Sequence, residues 1–78
     1  MDMLVSLSRL PMDKSAVVER VGCGRELSRR LRDLGLVPGT VVTKRYRSPD
    51  GGVTALEFRG TVIALRTRDL RGVKVQWS

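Results

Sequence analysis

The segment of residues 25–34 constrains the fold of this chain more than any other. When it is wound as a helix at about 100° per residue, its leucines fall within about 60° of one another. These leucines are Leu27, Leu31 and Leu34. We expect this stripe to pack against the core, with arginines on the opposite side at Arg25, Arg29 and Arg32. Glu26–Arg30 and Arg29–Asp33 have the spacing of helical ion pairs.

The residues after this helix predict how it ends. Gly35 suits the left-handed position that follows a last helical turn. Leu36 is then expected to pack on Leu31, the apolar contact that accompanies a Schellman cap. Pro38 and Gly39 occupy the two central positions of a predicted type II turn.

The rest of the chain has the short, alternating apolar patterns of β-strands. Strands are predicted over residues 15–21, 40–47, 53–59, 61–66 and 73–77, with Leu65 pointing inward. Glu19-Arg20 is the expected place of a bulge, and residues 67–71 of a single helical turn. Residues 1–14 are expected to be irregular, placing one or two leucines on the core. The prediction is a mainly β fold, a small closed antiparallel barrel of about five strands with one helix inserted after the first.

Composition limits the chemistry that this chain can perform. Its 78 residues, 41% of them hydrophobic, predict one globular domain spanning 1–78. The sequence has no histidine and one cysteine, Cys23, which leaves no serine–histidine triad, internal disulfide or paired-cysteine metal site. We expect no catalytic residue, no metal site and no intrinsic cofactor. A lone cysteine and the lack of a long apolar run favour a cytoplasmic protein.

The run from Arg29 to Gly39, RRLRDLGLVPG, resembles the helix-and-turn signature of ferrous iron transport protein A, the FeoA family. Leu10-Pro11 with Ala16-Val17-Val18, and Ala64-Leu65-Arg66 with Asp69-Leu70, resemble the family's opening strand and its penultimate strand. The resemblance implies an SH3-like barrel and a cytosolic accessory of a membrane transporter for ferrous iron. It also implies a partner, the GTP-binding cytosolic domain of a FeoB-type transporter, and ferrous iron as the ion of that system.

This sequence departs from the family pattern at several positions. Asp13 stands where the family often has glycine, and aspartate tolerates the left-handed turn expected there. Lys44 and Arg47 stand where the family tends to be apolar, so contacts made by that strand are expected to differ.

The charge of the chain points to an acidic partner. The net charge is +7, and three lysines leave twelve of the 15 basic residues as arginine. Arginine makes planar, bidentate contacts with carboxylates and phosphates. The candidate partner-binding residues are Arg25, Arg29, Arg32, Lys44 and Arg47. An ordinary solvated surface is an alternative of equal weight, homo-oligomerisation stays open, and membrane contact is expected only through the transporter.

Two other functions compete with a transport accessory. A small basic barrel that binds nucleic acid fits the charge, and its binding would weaken steeply with salt. Against it, the aromatic residues are Tyr46, Phe58 and Trp77 alone, whereas base-stacking platforms need exposed aromatics. A metal sensor or carrier is disfavoured because the acidic residues have no ligand spacing.

Overall fold

A computed structural model describes residues 3–77; Met1, Asp2 and Ser78, which the predicted lead-in and domain include, lie outside the described residues. The strands are β1 (Met3–Ser6), β2 (Ser15–Val21), β3 (Val41–Arg47), β4 (Val53–Phe58), β5 (Thr61–Arg66) and β6 (Val73–Trp77). One helix, α1 (Arg25–Asp33), follows β2. Two 3₁₀ segments, Leu7–Arg9 and Thr67–Gly72, precede β2 and β6.

All six strands form one antiparallel sheet in the order β1-β6-β2-β3-β4-β5. The prediction of a mainly β fold with one helix is confirmed; the helix follows the second strand because β1 precedes the strand predicted to be first. The expected closure is wrong, because β1 and β5 do not pair in the described part of the chain. The 3₁₀ segment Thr67–Gly72 contacts both of these edge strands.

The prediction of an irregular start is also wrong, since β1 is a sixth strand. It pairs with β6, with Met3 opposite Trp77 and Ser6 opposite Lys74. The partner strand lies at the other end of the chain, so local periodicity carried no signal for this pairing. Leu7 and Leu10, which follow β1, are buried. This agrees with the expectation that the lead-in places one or two leucines on the core.

Two strands contain bulges. The register of β2 against β6 shifts between Val18 and Arg20, which confirms the predicted bulge. An unpredicted shift occurs in β3 between Lys44 and Tyr46, where Arg45 is the extra residue. Beyond this bulge Tyr46 lies opposite Ala55, on the outer face of the sheet. A bulge commonly re-aims a side chain in this way.

The leucine stripe of α1 is only partly buried. Leu31 is 1% exposed and Leu27 packs partly against the core, but Leu34 is 49% exposed. The expectation that Leu34 faces the core is wrong. Ser28 is buried instead, and its Oγ accepts the Cys23 backbone N–H at 2.8 Å. The buried side is therefore centred between Leu31 and Ser28, which leaves Leu34, the residue after the end of the helix, at its margin.

The end of α1 has the hydrogen bonds of a Schellman motif. The Leu36 N–H donates to the Leu31 carbonyl at 2.9 Å, and the Gly35 N–H donates to the Arg32 carbonyl at 2.9 Å. Gly35 has a φ of 106°, as predicted. Leu36 is fully buried in the same core cluster as Leu31. The motif thus turns the chain and anchors it in the core at once.

The next turn ties this region to the sheet. The Thr40 N–H donates to the Val37 carbonyl at 3.0 Å, and Gly39 has a φ of 94°, as a type II turn requires. The Gly39 N–H then donates to the Val18 carbonyl of β2 at 2.8 Å. Pro38 and Gly39 therefore place the start of β3 beside β2.

Replacing Leu31 with alanine should lower the free energy of unfolding by roughly 2–5 kcal/mol, because it leaves a cavity where α1 meets the core. Leu34→Ala is the matched control on the same helix and should change it by no more than about 0.5 kcal/mol. Urea unfolding followed by circular dichroism measures both. Equal losses for the two variants would contradict the burial described here.

Candidate interaction surface

The outward side of α1 carries a row of three arginines. Arg25, Arg29 and Arg32 are exposed. Seven residues at about 1.5 Å each make the row roughly 10 Å long. Among residues 3–77 the one ion pair within 4.0 Å is Arg45–Glu57, at 3.2 Å. The helical pairs suggested by spacing, Glu26–Arg30 and Arg29–Asp33, are absent, so no carboxylate occupies the row.

Lys44 is not part of any surface. It is 1% exposed and lies on the inner side of β3. Its Nζ donates to the Leu10 carbonyl at 2.8 Å and to the Ser8 carbonyl at 3.1 Å. The long apolar stem reaches across the interior while the ammonium finds main-chain oxygens at the far side. Lys44 is therefore unavailable to a partner, contrary to the expectation for this residue.

The environment of Lys44 disfavours its charge. Burial lowers the pKa of this ammonium below its ordinary value, and the positive charge of Arg47 lowers it further. Both hydrogen-bond partners are neutral carbonyls, so no opposite charge compensates. A neutral amine still has two N–H groups, enough for both of these bonds.

Arg47 is exposed at the end of β3, on a different element from the helical arginines. It borders a groove of about 400 Å³ on the outer face of the sheet. The apolar lining of this groove includes Tyr46, Pro49, Val53, Val62 and Ala64. The five candidate residues thus separate into a helical row, one cation at a sheet groove and one buried lysine.

A second groove, of about 340 Å³, runs between α1 and β5. Leu27, Leu34, Ile63 and Leu65 line it, with Arg30, Arg66 and Asp69 at its borders. The sequence did not predict this groove, because Leu34 and Leu65 were expected to lie in the core. The available signal was Ser28, a small polar residue beside the leucine stripe, which is buried in place of Leu34.

Cys23 lies half-buried between β2 and α1. Its thiol donates to the Asp69 carbonyl at 3.3 Å. Burial raises the pKa of this thiol, and the charge of Asp69 raises it further. The described residues contain no group of three or more histidine, cysteine or acidic side chains placed to hold a metal ion. Nor is any helix in residues 3–77 long and apolar enough to span a membrane.

The lowered pKa of Lys44 predicts a pH dependence of stability. As pH rises towards the lysine's ordinary value of 10.5, the folded protein releases this proton before the unfolded chain does, so the folded state gains stability. Wild type should therefore gain stability relative to Lys44→Met between pH 7 and about pH 10. Thermal melts of both proteins across this range measure the difference.

Lys14→Met, at an exposed lysine, controls for the loss of one positive charge. A difference between wild type and Lys44→Met that shrinks with rising pH would show that burial does not destabilise the ammonium.

Comparison with known proteins places this fold in a family. The FeoA domain model matches residues 5–76. The solution structure of FeoA from Chlorobium tepidum has a TM-score of 0.87 and 30% identity, covering 91% of this chain and 68% of that one. No curated protein sequence matches the chain.

Two further structures bear on the fold. The crystal structure of Stenotrophomonas maltophilia FeoA complexed with zinc has 38% identity and a TM-score of 0.77, covering 94% of this chain and 88% of that one. That protein is described as a prokaryotic SH3 domain protein with a suggested role as a ferrous iron transport activating factor. IdeR of T. acidophilum, at 18% identity and a TM-score of 0.80 over 96% of this chain and 34% of that one, shares the fold alone. With its family model matched from residue 5 to residue 76 and its SH3-like sheet shared with these structures, the chain belongs to the FeoA family, which serves ferrous iron transport.

Proposed function

We propose that this protein is a cytosolic, non-catalytic accessory that binds and modulates the GTPase-bearing cytosolic part of a ferrous iron transporter. Membership in the FeoA family supports a role in ferrous iron transport. A sequence without histidine supports a role in binding rather than catalysis. The chemistry of the exposed helix supports a protein partner.

The single observation that carries this proposal is the row of Arg25, Arg29 and Arg32. All three are exposed, and no carboxylate of residues 3–77 pairs with them. Leu31 of the same helix is held in the core, so the row is presented on a fixed element. Guanidinium groups fit carboxylates in a bidentate geometry, and charges at the margin of an interface chiefly increase the association rate.

A binding protein of this kind acts by stabilising one state of its partner. If it binds one nucleotide state of the transporter's cytosolic domain more tightly than the other, it shifts the population towards that state. At saturation, the equilibrium constant between the two states changes by the ratio of the two affinities. Affinity measured in both nucleotide states therefore reports the regulation as well as the binding.

Nucleic-acid binding has less support. Phe58 is 2% exposed and Trp77 is half-buried, so Tyr46 is the one largely exposed aromatic side chain of the three. A stacking platform for successive bases needs several such rings.

The test is the triple variant Arg25→Glu, Arg29→Glu, Arg32→Glu, measured by biolayer interferometry against the purified cytosolic domain loaded with GDP or a GTP analogue. Association should slow at least about tenfold at low salt and much less at high salt, because the variant removes electrostatic steering. Circular dichroism checks that the fold is retained.

A second triple variant, Arg9→Glu, Arg20→Glu, Arg71→Glu, is the matched control. These arginines are also exposed but lie on other elements, and three reversals lower the net charge of +7 by six in either variant. Equal slowing in both variants would mean that only net charge matters. Unchanged binding in the helical variant would remove the arginine row from the interface.

A further inference from the structure

Strand β5 lies at one end of the sheet, and in the part of the chain that the structure describes one side of its main chain pairs with no other strand. The Thr67 N–H donates to the Gly52 carbonyl at 2.9 Å, which continues the β4–β5 ladder. This bond shows which residues of β5 direct their main-chain groups towards β4. In an antiparallel ladder the inward bonds fall on alternate residues, so Ile63 and Leu65 bond towards β4. Val62 and Ala64 therefore point their N–H and C=O groups away from the sheet.

Up to Arg66, the charged residue at its end, this edge lacks the features that usually protect one. Residues 61–65 contain no charge and no proline, and Val62 is 54% exposed. In the described part of the chain, neither a loop nor a side chain hydrogen-bonds to the free side of Val62 or Ala64. An open edge of this kind is a template for one more strand.

Apolar grooves lie on both sides of this edge. On the helix side, the 340 Å³ groove offers Leu27, Leu34, Ile63 and Leu65. On the outer side, the 400 Å³ groove offers Tyr46, Val53, Val62 and Ala64. Because side chains of a strand alternate between faces, a strand added beside β5 would place successive residues over the two grooves.

The bulge in β3 contributes to the outer groove. It brings Tyr46 of β3 opposite Ala55 of β4, and Ala55 lies opposite Ala64 of β5. These three residues form one row across the strands, and the row ends at the free edge. Tyr46 is 66% exposed, which makes its ring available to a neighbour on that row. Aromatic side chains form strong cross-strand contacts.

The charges around the edge select its occupant. Arg30 and Arg66 border the helix-side groove and Arg47 the outer groove, while Asp69 is the one carboxylate lining either of them. Pairing β5 with β5 of a second copy would bring these arginines together with their counterparts, in a chain of net charge +7. A segment with an apolar centre and acidic ends would fill the apolar grooves with its central side chains and pair its carboxylates with the arginines.

We propose that β5 binds an extended segment of a partner protein, apolar at its centre and acidic at its ends, as an added strand of the sheet. Main-chain hydrogen bonds to Val62 and Ala64 supply the pairing, and the two grooves receive alternate side chains. This site is distinct from the arginine row on the outer side of α1, and it does not depend on the identity of the transporter.

The probe is a synthetic peptide, Glu-Glu-Val-Thr-Val-Leu-Val-Glu-Glu with blocked ends, titrated into the ¹⁵N-labelled protein. Amide shifts should change in β5 and both grooves, and hydrogen exchange of the Val62 and Ala64 amides should slow. The same peptide with lysine in place of glutamate should bind at least about tenfold more weakly.

Ala64→Pro tests the main-chain bond directly. It removes an outward N–H while leaving the bonds of Ile63 and Leu65 to β4, and it should weaken the peptide at least about tenfold. Val62→Asp is a second test, which places a charge on the edge and keeps every main-chain N–H. Val41→Asp is its control. Val62 and Val41 are 54% and 56% exposed, but Val41 lies on β3 beside β2. Only the Val62 variant should lose binding.

Three results would overturn the proposal. One is peptide binding that survives both Ala64→Pro and Val62→Asp, or that shifts amides only on the outer side of α1. Another is no shift in β5 at millimolar peptide. The third is a wild-type dimer in sedimentation that Val62→Asp dissociates, since β5 would then pair with its own copy.

Discussion

The turn that ends α1 is the constraint on which the exposed surfaces depend. Leu31 and Leu36 are both buried, and one hydrogen bond between their main chains joins the last helical turn to the chain leaving it. The next turn then bonds to Val18 of β2. The helix is thereby held at a fixed orientation, which sets both the outward arginine row and the width of the groove beside β5.

The features that could be predicted from sequence are those decided by neighbouring residues. Gly35 has the positive φ that a helix-ending glycine adopts, and Pro38-Gly39 forms the expected turn. The bulge near Glu19 followed from a break in the alternation of valines. In each case the backbone preference of a glycine or proline, or the two-residue period of a strand, is sufficient information.

The features that could not be predicted depend on residues distant in the chain. Strand β1 exists because β6, at the other end of the chain, supplies its hydrogen bonds. Leu34 is exposed because Ser28 and Leu31 together define which side of the helix is buried. A helical wheel gives the angle between leucines but not the rotation of the helix on its sheet. The same holds for the arginine row and the grooves, whose residue types were visible but whose arrangement needed the fold.

Lys44 has a consequence for how the beginning of the chain can vary. Its ammonium binds the carbonyl oxygens of Ser8 and Leu10, which every amino acid at those positions would also provide. The tether between β3 and the segment after β1 is thus indifferent to side-chain identity at residue 8. Substitutions at residue 8 therefore leave this hydrogen bond available. At position 44, a side chain shorter than lysine would not reach the two carbonyl oxygens.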